Sequence, residues 1–325
     1  MTIQELAESS PNLEILNSWL VTDNKLKRCR KAMCAISGGS DSDILLHLCA
    51  TLDTKGKVTY VFFDTGLEFQ ATKQHIKDLE DKYNIKIVVQ KAVKPIPTCC
   101  RQYGVPFLSK YVSDMISRLQ RHNFKWEDKP FDELYAEYPK CKTALLWWCN
   151  AAISNRFHIS RNKYLKEFLI ANPPTFKISG KCCHYAKKLP SERFKNENQF
   201  DLRMIGVRKS EGGIRDNAYK NCFTPATENS IDEYRPVFWY TSDTKSAFNA
   251  TYGITNSDCY EVWGLKRTGC SGCPFGRNLE AELAACEKYE PKMYKALNNV
   301  FGASYEYTRQ YREYQRKMRG EIANE

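Results

Sequence analysis

The 325-residue sequence lacks the features that mark membrane-spanning, exported or low-complexity proteins. No apolar run approaches the roughly 20 residues that a spanning helix needs, and no signal peptide opens the chain. Internal repeats and low-complexity segments are also absent. Histidine is scarce, and the 5 histidines do not show the spacing of a histidine metal site. These absences predict a globular, cytoplasmic protein without a membrane partner.

Cysteine and positive charge, in contrast, are abundant. The chain contains 14 cysteines, and in a protein of this size without an export signal they favour metal or redox chemistry over disulfides. The formal net charge of +11 favours a polyanionic partner such as a nucleotide or a nucleic acid. A hydrophobic content of 42% is enough for the full core of a large domain.

Strand and helix patterns alternate from about residue 30 and predict the fold class. The strands are "KAMCAIS", "KVTYVFFDTG" and "IKIVVQKA", and an amphipathic helix follows each of the first two. This order predicts an α/β fold with a parallel sheet flanked by helices. Such sheets bind ligands at the carboxyl ends of their strands.

Other parts of the chain have helical patterns. We expect a helical lead-in over residues 1–29, an α/β domain over 30–276 and a C-terminal helical tail over 277–325. A helical insertion, rich in aromatic and basic residues, is expected at about 95–175. Within it, Arg118, Arg121 and Lys125 are predicted to share one helix face, which we expect to contact the phosphate backbone of a nucleic acid.

The loop "SGGSDS" lies between the first strand and the helix that follows it. Glycines let a backbone approach a phosphate closely, serine hydroxyls can donate to it, and the helix presents its N-terminus to the same place. A carboxylate beside phosphates suits Mg²⁺ binding. The alternative is a plain strand-to-helix turn with Asp or Ser caps. The loop residues are Ser37, Gly38, Gly39, Ser40, Asp41 and Ser42.

Three segments of the sequence resemble the N-type ATP pyrophosphatases, a superfamily that includes the phosphoadenosine phosphosulfate (PAPS) reductases and thiolation enzymes. "SGGSDSD" is similar to the pyrophosphate loop, "FFDTGLEFQAT" to a second motif near the nucleotide, and "IGVRKSEGGIR" to a later Gly-x-Arg segment. The resemblance implies a Rossmann-like fold of the adenine nucleotide α-hydrolase type that binds ATP with Mg²⁺.

The resemblance also implies roles for particular residues. Asp41, Lys187 and Arg208 are the implied catalytic residues. Further nucleotide contacts, beyond the loop, are implied at Asp64, Thr65, Gly66, Gly206, Arg208 and Arg215.

Four cysteines form two pairs within residues 180–276. Cys182 and Cys183 are adjacent, and Cys270 and Cys273 form a Cys-x-x-Cys turn that can present two thiolates on one side. Adjacent cysteines suit an iron–sulfur cube better than a single zinc ion. Zinc binding and four reduced structural cysteines remain alternatives.

The arrangement resembles the [4Fe-4S] site of assimilatory adenylyl-sulfate reductases. Lys187 and Pro190 match that motif, although Ala186 replaces its usual arginine. A second adjacent pair, Cys99 and Cys100, has no clear partner motif, and a sulfur relay is one interpretation of it.

Two departures distinguish this sequence from the sulfonucleotide reductases. Those enzymes usually lack the complete loop found here, and they carry a C-terminal Glu-Cys-Gly-x-His segment, whereas no cysteine follows Cys286 in this sequence. We therefore expect an ATP pyrophosphatase with a [4Fe-4S] cluster that adenylates an acceptor for sulfur transfer. Its plan resembles the iron–sulfur ATP pyrophosphatase of DNA phosphorothioation systems.

The resemblance implies DNA or tRNA as the acceptor and a cysteine desulfurase or another sulfur donor as a partner. A sulfonucleotide reductase is the first alternative, and a non-catalytic nucleotide-binding regulator is the second.

Overall fold

A computed structural model describes residues 3–211 and 219–321 of the chain. In chain order its strands are β1 (Ala32–Ile36), β2 (Val58–Asp64), β3 (Ile87–Lys91), β4 (Leu202–Ile205), β5 (Phe223–Thr224) and β6 (Asp232–Tyr234). They form one sheet in the order β3-β2-β1-β4-β6-β5. All neighbouring pairs are parallel except β5 with β6. The predicted α/β fold with a parallel sheet and flanking helices is confirmed, with an antiparallel strand at one edge.

Helices occupy much of the remaining described chain. Those of the first half are α1 (Ile3–Ser9), α2 (Leu13–Arg28), α3 (Ser40–Leu52), α4 (Gln70–Tyr83), α5 (Ile96–Tyr103), α6 (Lys110–Gln120), α7 (Phe131–Glu137) and α8 (Lys142–Trp148). Those of the second half are α9 (Leu165–Ala171), α10 (Lys181–Cys183), α11 (Leu189–Glu197), α12 (Ser242–Tyr252), α13 (Asp258–Glu261), α14 (Leu279–Tyr289) and α15 (Pro291–Met318). A π-helical turn, His184–Lys188, connects α10 to α11.

The chain divides into two compact units. The first unit comprises Met1–Val93 and Ala186–Ser271 and contains the sheet, and the second comprises Lys94–Tyr185 and Gly272–Glu325. The domain boundaries expected from the sequence stay a prediction. Among the described residues, no helix is both long enough and apolar enough to cross a membrane.

The core of the first unit lies on the faces of the sheet. β1 is buried along almost its whole length, as expected for a central parallel strand covered on both faces. Asn12 caps the N-terminus of helix α2, since its side chain accepts a hydrogen bond from the Ile15 amide at 3.0 Å. Its apolar stripe then buries Ile15 and Trp19 completely, and Trp19 stacks on Phe248 of α12.

The second unit has its own core, built from aromatic side chains of helices. Trp147 and Trp148 of α8 are fully buried. Phe168 of α9 packs against Tyr307 and Tyr311 of the long helix α15. The C-terminal helix is therefore part of this core.

Candidate functional site

The predicted nucleotide-binding segments meet at one edge of the sheet in the first unit. β1 lies between β2 and β4 and runs parallel to both, so the three strands end at the same edge. The chain continues from β1 to β2 on one side, whereas β4 pairs on the other. This change of direction is a topological switch point, where open parallel sheets bind ligands.

The loop after β1 has the tight geometry that its glycines permit. Gly38 has a φ of +66°, and a Cβ atom there would lie 2.7 Å from the Thr72 side chain of α4. Ser42 Oγ accepts from the Ser37 amide at 3.2 Å and donates to the Gly39 carbonyl at 2.7 Å. The side chain of Ser42 therefore holds the loop in its tight conformation, and α3 begins within the loop at Ser40.

Gly206, directly after β4, permits a second close approach of the backbone. A Cβ atom at this position would lie 2.6 Å from the Asp41 carbonyl oxygen and 2.8 Å from the Ser42 amide nitrogen. No side chain fits in that space. The predicted Gly-x-Arg segment is thus packed directly against the first turn of α3.

Asp41 is the charged centre of this edge. Its side chain is buried, and Arg208 Nε donates to Asp41 Oδ1 at 2.8 Å. Lys245 of α12 is also close: its ammonium bonds Ser40 Oγ and lies 3.6 Å from Asp41 Oδ1. Two cations therefore share one carboxylate oxygen, and sequence patterns alone did not indicate Lys245.

Tyr260 and Thr268 contribute hydroxyl groups to the start of α3. Tyr260 OH and Thr268 Oγ1 are 2.9 Å apart, and a Cβ on Gly39 would lie 3.3 Å from that tyrosine hydroxyl. Burial raises the pKa of Tyr260, and hydrogen bonds with Thr268 oppose that rise, including one from the Thr268 amide at 3.1 Å. The sequence analysis did not indicate Tyr260 or Thr268 as site residues.

The segment after β2 is held mainly by hydrogen bonds among its own residues. Asp64 Oδ1 accepts from the Gly66 amide at 2.8 Å, and the fully buried Thr65 donates its hydroxyl to Glu68 at 2.6 Å. Burial raises the pKa of Glu68, and the charge of Lys187 opposes that rise. Lys187 itself is exposed. The structure therefore groups Lys187 with the motif after β2, and the predicted Arg215 lies outside the described residues.

A buried Asp–His pair joins the two helices behind the loop. Asp43 of α3 is fully buried and lies 2.9 Å from His75 Nε2 of α4. Burial raises the pKa of Asp43. Burial lowers the pKa of His75, but the hydrogen bond and negative charge of Asp43 outweigh that effect and raise it above its ordinary value. The pair ties α3 to α4 most strongly when His75 is protonated.

Several cysteines of the second unit lie close to Cys182. Cys182 is buried, and its thiol pKa is raised by a hydrogen bond with Cys100, a burial effect and the nearby Cys100 and Cys273, while Cys183 opposes the rise. Cys270 belongs to the first unit. Across residues 3–211 and 219–321, no three His, Cys, Asp or Glu side chains are close enough together to hold a metal ion. The thiols are thus neighbours without forming a ligand cage.

The turn before Cys273 is held by the second unit's helices. Gly272 has a φ of +57°, and its amide donates to Glu282 Oε1 of α14 at 2.8 Å. Tyr305 of α15 donates its hydroxyl to the Gly272 carbonyl. Burial raises the pKa of Glu282 to about 7.

These features define an α/β protein with a Gly-rich loop at the switch point of its sheet. Residues 31–121 match the family model of the phosphoadenosine phosphosulfate reductase domain. The expected resemblance to that family is confirmed over this stretch.

The relatives found are distant or partial. The chain is 32% identical over 153 residues to the uncharacterized protein MJ0066 of Methanocaldococcus jannaschii, a match that covers 47% of this chain and 30% of the length of that protein. A Candida auris phosphoadenylyl-sulfate reductase, solved as a phosphate complex, shares 13% identity with a TM-score of 0.45 over 83% of this chain and 96% of its own. The U34-tRNA thiolase NcsA of Methanococcus maripaludis, solved with its [4Fe-4S] cluster, shares 12% identity with a TM-score of 0.36 over 91% and 79% of the chains.

The Asp43–His75 pair predicts a pH-dependent stability. A raised histidine pKa means that the folded state holds the proton more tightly than the unfolded state. The contribution is therefore complete below pH 6.5, the ordinary pKa of histidine, and is lost as the pH rises through the raised pKa. Urea unfolding across this range should show wild type losing stability with rising pH relative to His75→Gln, which keeps an amide donor.

The exposed His122 provides the matched control. His122→Gln should keep the wild-type pH dependence. Identical pH dependence in wild type and His75→Gln would contradict the assignment.

Proposed function

We propose that the chain is an ATP pyrophosphatase that adenylates an acceptor oxygen in preparation for sulfur transfer. The observation that carries this proposal is the loop at Ser37–Ser42, with a buried carboxylate at Asp41 and the cations of Arg208 and Lys245 beside it. A carboxylate can bind Mg²⁺, and two cations and a closely approaching backbone can bind phosphate oxygens. Together these groups suit a magnesium-bound polyphosphate. The family match over residues 31–121 supports a nucleotide-using enzyme related to sulfur chemistry.

The proposed reaction has two displacements. An acceptor oxygen attacks the α-phosphorus of ATP, and the bond from that phosphorus to the bridging oxygen breaks, so that pyrophosphate leaves. A sulfur nucleophile then displaces AMP from the acceptor. Arg208 and the amides at the start of α3 would stabilise charge on the departing pyrophosphate. Asp41 would hold Mg²⁺, which neutralises phosphate charge when bound.

A [4Fe-4S] cluster is the second part of the proposal. Soft thiolates are the donors that iron–sulfur clusters use, and Cys183 and Cys273 each lie near Cys182 in the second unit. With Cys270, three positions before Cys273 in the chain, they would hold the cluster. When bound, such a cluster supplies electron transfer or an iron that binds sulfur.

A nucleic acid is the proposed acceptor, but the surface first predicted for it needs a correction. Helix α6 ends at Gln120, so Lys125 does not share its face with Arg118 and Arg121. Arg118 bonds Asp114 at 3.0 Å and Lys125 bonds Glu137 at 2.8 Å, so both charges are already compensated. The Asp114–Arg118 pair is a local i,i+4 contact within α6. The Lys125–Glu137 pair joins residues 12 positions apart, so sequence periodicity could not reveal it.

The stretch between Glu137 and Glu167 is the better candidate in the insertion, because it contains no acidic residue. Arg156, Arg161 and Lys163 are exposed there. Ile153 and Phe157 are exposed as well, and the Arg156 guanidinium lies 4.5 Å from the centre of the Phe157 ring. Basic groups beside an exposed aromatic ring suit a phosphate backbone with stacking bases.

A sulfonucleotide reductase is a second candidate function, and the family match over residues 31–121 favours it. The two reactions differ in products, because the pyrophosphatase releases pyrophosphate from ATP whereas the reductase releases sulfite from adenylyl sulfate or its 3′-phosphorylated form.

The first test concerns nucleotide choice. ATP with Mg²⁺ should bind more tightly than adenylyl sulfate, and Asp41→Ala should remove about 1.5–3 kcal/mol of the magnesium-dependent binding, because one charge-assisted contact is lost. Titration calorimetry with and without Mg²⁺ measures this difference. Asp78→Ala removes an exposed carboxylate of the same unit and should change nothing. Sulfite formation from adenylyl sulfate with a thiol donor would instead establish the reductase.

The second test concerns the cluster. Anaerobically purified protein should be brown, and replacing Cys182, Cys183, Cys270 or Cys273 with Ser should remove the colour and the bound iron and sulfide. The buried Cys286 is the control, since Cys286→Ser should keep the colour. A colourless wild-type protein that carries stoichiometric zinc would reject the cluster.

The third test concerns nucleic acid. Replacing Arg156, Arg161 and Lys163 with Glu should abolish binding of single-stranded RNA or DNA, measured by fluorescence anisotropy across a salt series, because each phosphate contact releases condensed counterions. Replacing the exposed Lys55, Lys77 and Lys86 of the first unit with Glu makes the same charge change and should preserve binding. Equal losses in the two variants would show that net charge alone drives the interaction.

A further inference from the structure

Lys245 stands apart from every motif in the sequence, yet the fold places it at the loop. It lies on α12, whose first turn is capped by the Thr241 side chain accepting from the Thr244 amide. Its ammonium bonds Ser40 Oγ, and its side chain is 18% exposed. A lysine so far from water needs a reason, because burial of an ammonium is costly without a partner.

The positive charges around Lys245 are not matched by an equal number of unpaired carboxylates. Asp41 Oδ1 accepts from Arg208 Nε at 2.8 Å and is 3.6 Å from Lys245 Nζ. The other nearby carboxylate, Asp43, is already paired with His75. Burial lowers the pKa of Lys245, whereas Asp41 opposes that effect. One carboxylate is thus shared by two cations, which leaves an excess of positive charge beside Ser40.

An excess of buried positive charge at a helix N-terminus suits a polyanion. Both cations approach the first turn of α3, where backbone amides add to the positive potential. Arg208 also bonds Ser210 Oγ at 3.2 Å, and Ser210 in turn bonds the Tyr240 carbonyl at 2.8 Å. These bonds orient the guanidinium toward the start of α3, and the flexible lysine can turn to a phosphate oxygen.

We propose that Lys245 and Arg208 form a polyphosphate subsite that Asp41 masks until the nucleotide arrives. The proposal rests on the proposed function, because it assigns the β- and γ-phosphates of ATP to this pair. Phosphate oxygens draw the two cations from Asp41, and the carboxylate is then released to bind Mg²⁺. Metal and phosphate therefore bind cooperatively, since each removes a competitor of the other.

This exchange makes a prediction of opposite sign for two ligands. Lys245→Met, which keeps the unbranched apolar stem of the side chain but removes the charge, should weaken binding of magnesium pyrophosphate and of ATP with Mg²⁺ by about tenfold or more. The same variant should bind Mn²⁺ alone more tightly than wild type, because one competitor for Asp41 has been removed. Calorimetry measures the phosphates, and electron paramagnetic resonance of free Mn²⁺ measures the metal.

The exposed Lys77→Met is the matched control for the loss of one charge, and it should retain both wild-type affinities. Thermal unfolding of each variant shows whether the fold is kept, and Lys245→Gln serves if the Met variant does not fold. Unchanged phosphate affinity, or weaker binding of Mn²⁺ alone, in a folded Lys245 variant would overturn the subsite. Failure of wild type to bind ATP at all would instead reject the proposed function.

Discussion

The contact between Gly206 and the first turn of α3 is the constraint on which the candidate site depends. Because no Cβ separates the two backbones, the end of β4 lies against Asp41 and delivers Arg208 to its carboxylate. The same contact joins the end of β4 to the helix that follows β1, beside the switch point of the sheet. A larger residue at position 206 would push Arg208 and the loop apart.

The sequence predicted the parts of this site that local patterns encode. Alternating strands and helices indicate a parallel sheet, and a Gly-rich loop between a strand and a helix indicates a phosphate site, because both features depend on neighbouring residues. The antiparallel strand β5 was not predicted, since it is only two residues long. Lys245 was not predicted either, because its role depends on how α12 packs and a single lysine in a helix has no pattern.

The cysteines also show what local sequence patterns can and cannot predict. The Cys-Cys and Cys-x-x-Cys spacing indicated which thiols to consider, but the meeting of Cys100 with Cys182 follows from the packing of the second unit. The acidic partner of Lys125 likewise comes from tertiary packing, whereas the i,i+4 partner of Arg118 lies on the same helix. The basic residues of the sequence therefore indicate that nucleic acid is a partner to test. The folded chain shows which of those basic side chains are not already paired with a carboxylate.

Hydrogen–deuterium exchange of the wild-type protein with ATP and Mg²⁺ tests the central claim most directly. If the loop binds the nucleotide phosphates, the backbone amides of residues 37–42 and 206–208 should become protected, because phosphate oxygens then accept from the loop amides and hold both segments. Magnesium pyrophosphate alone should protect the same amides. Protection confined to other segments, with the loop amides exchanging at the rate of the free protein, would contradict the account.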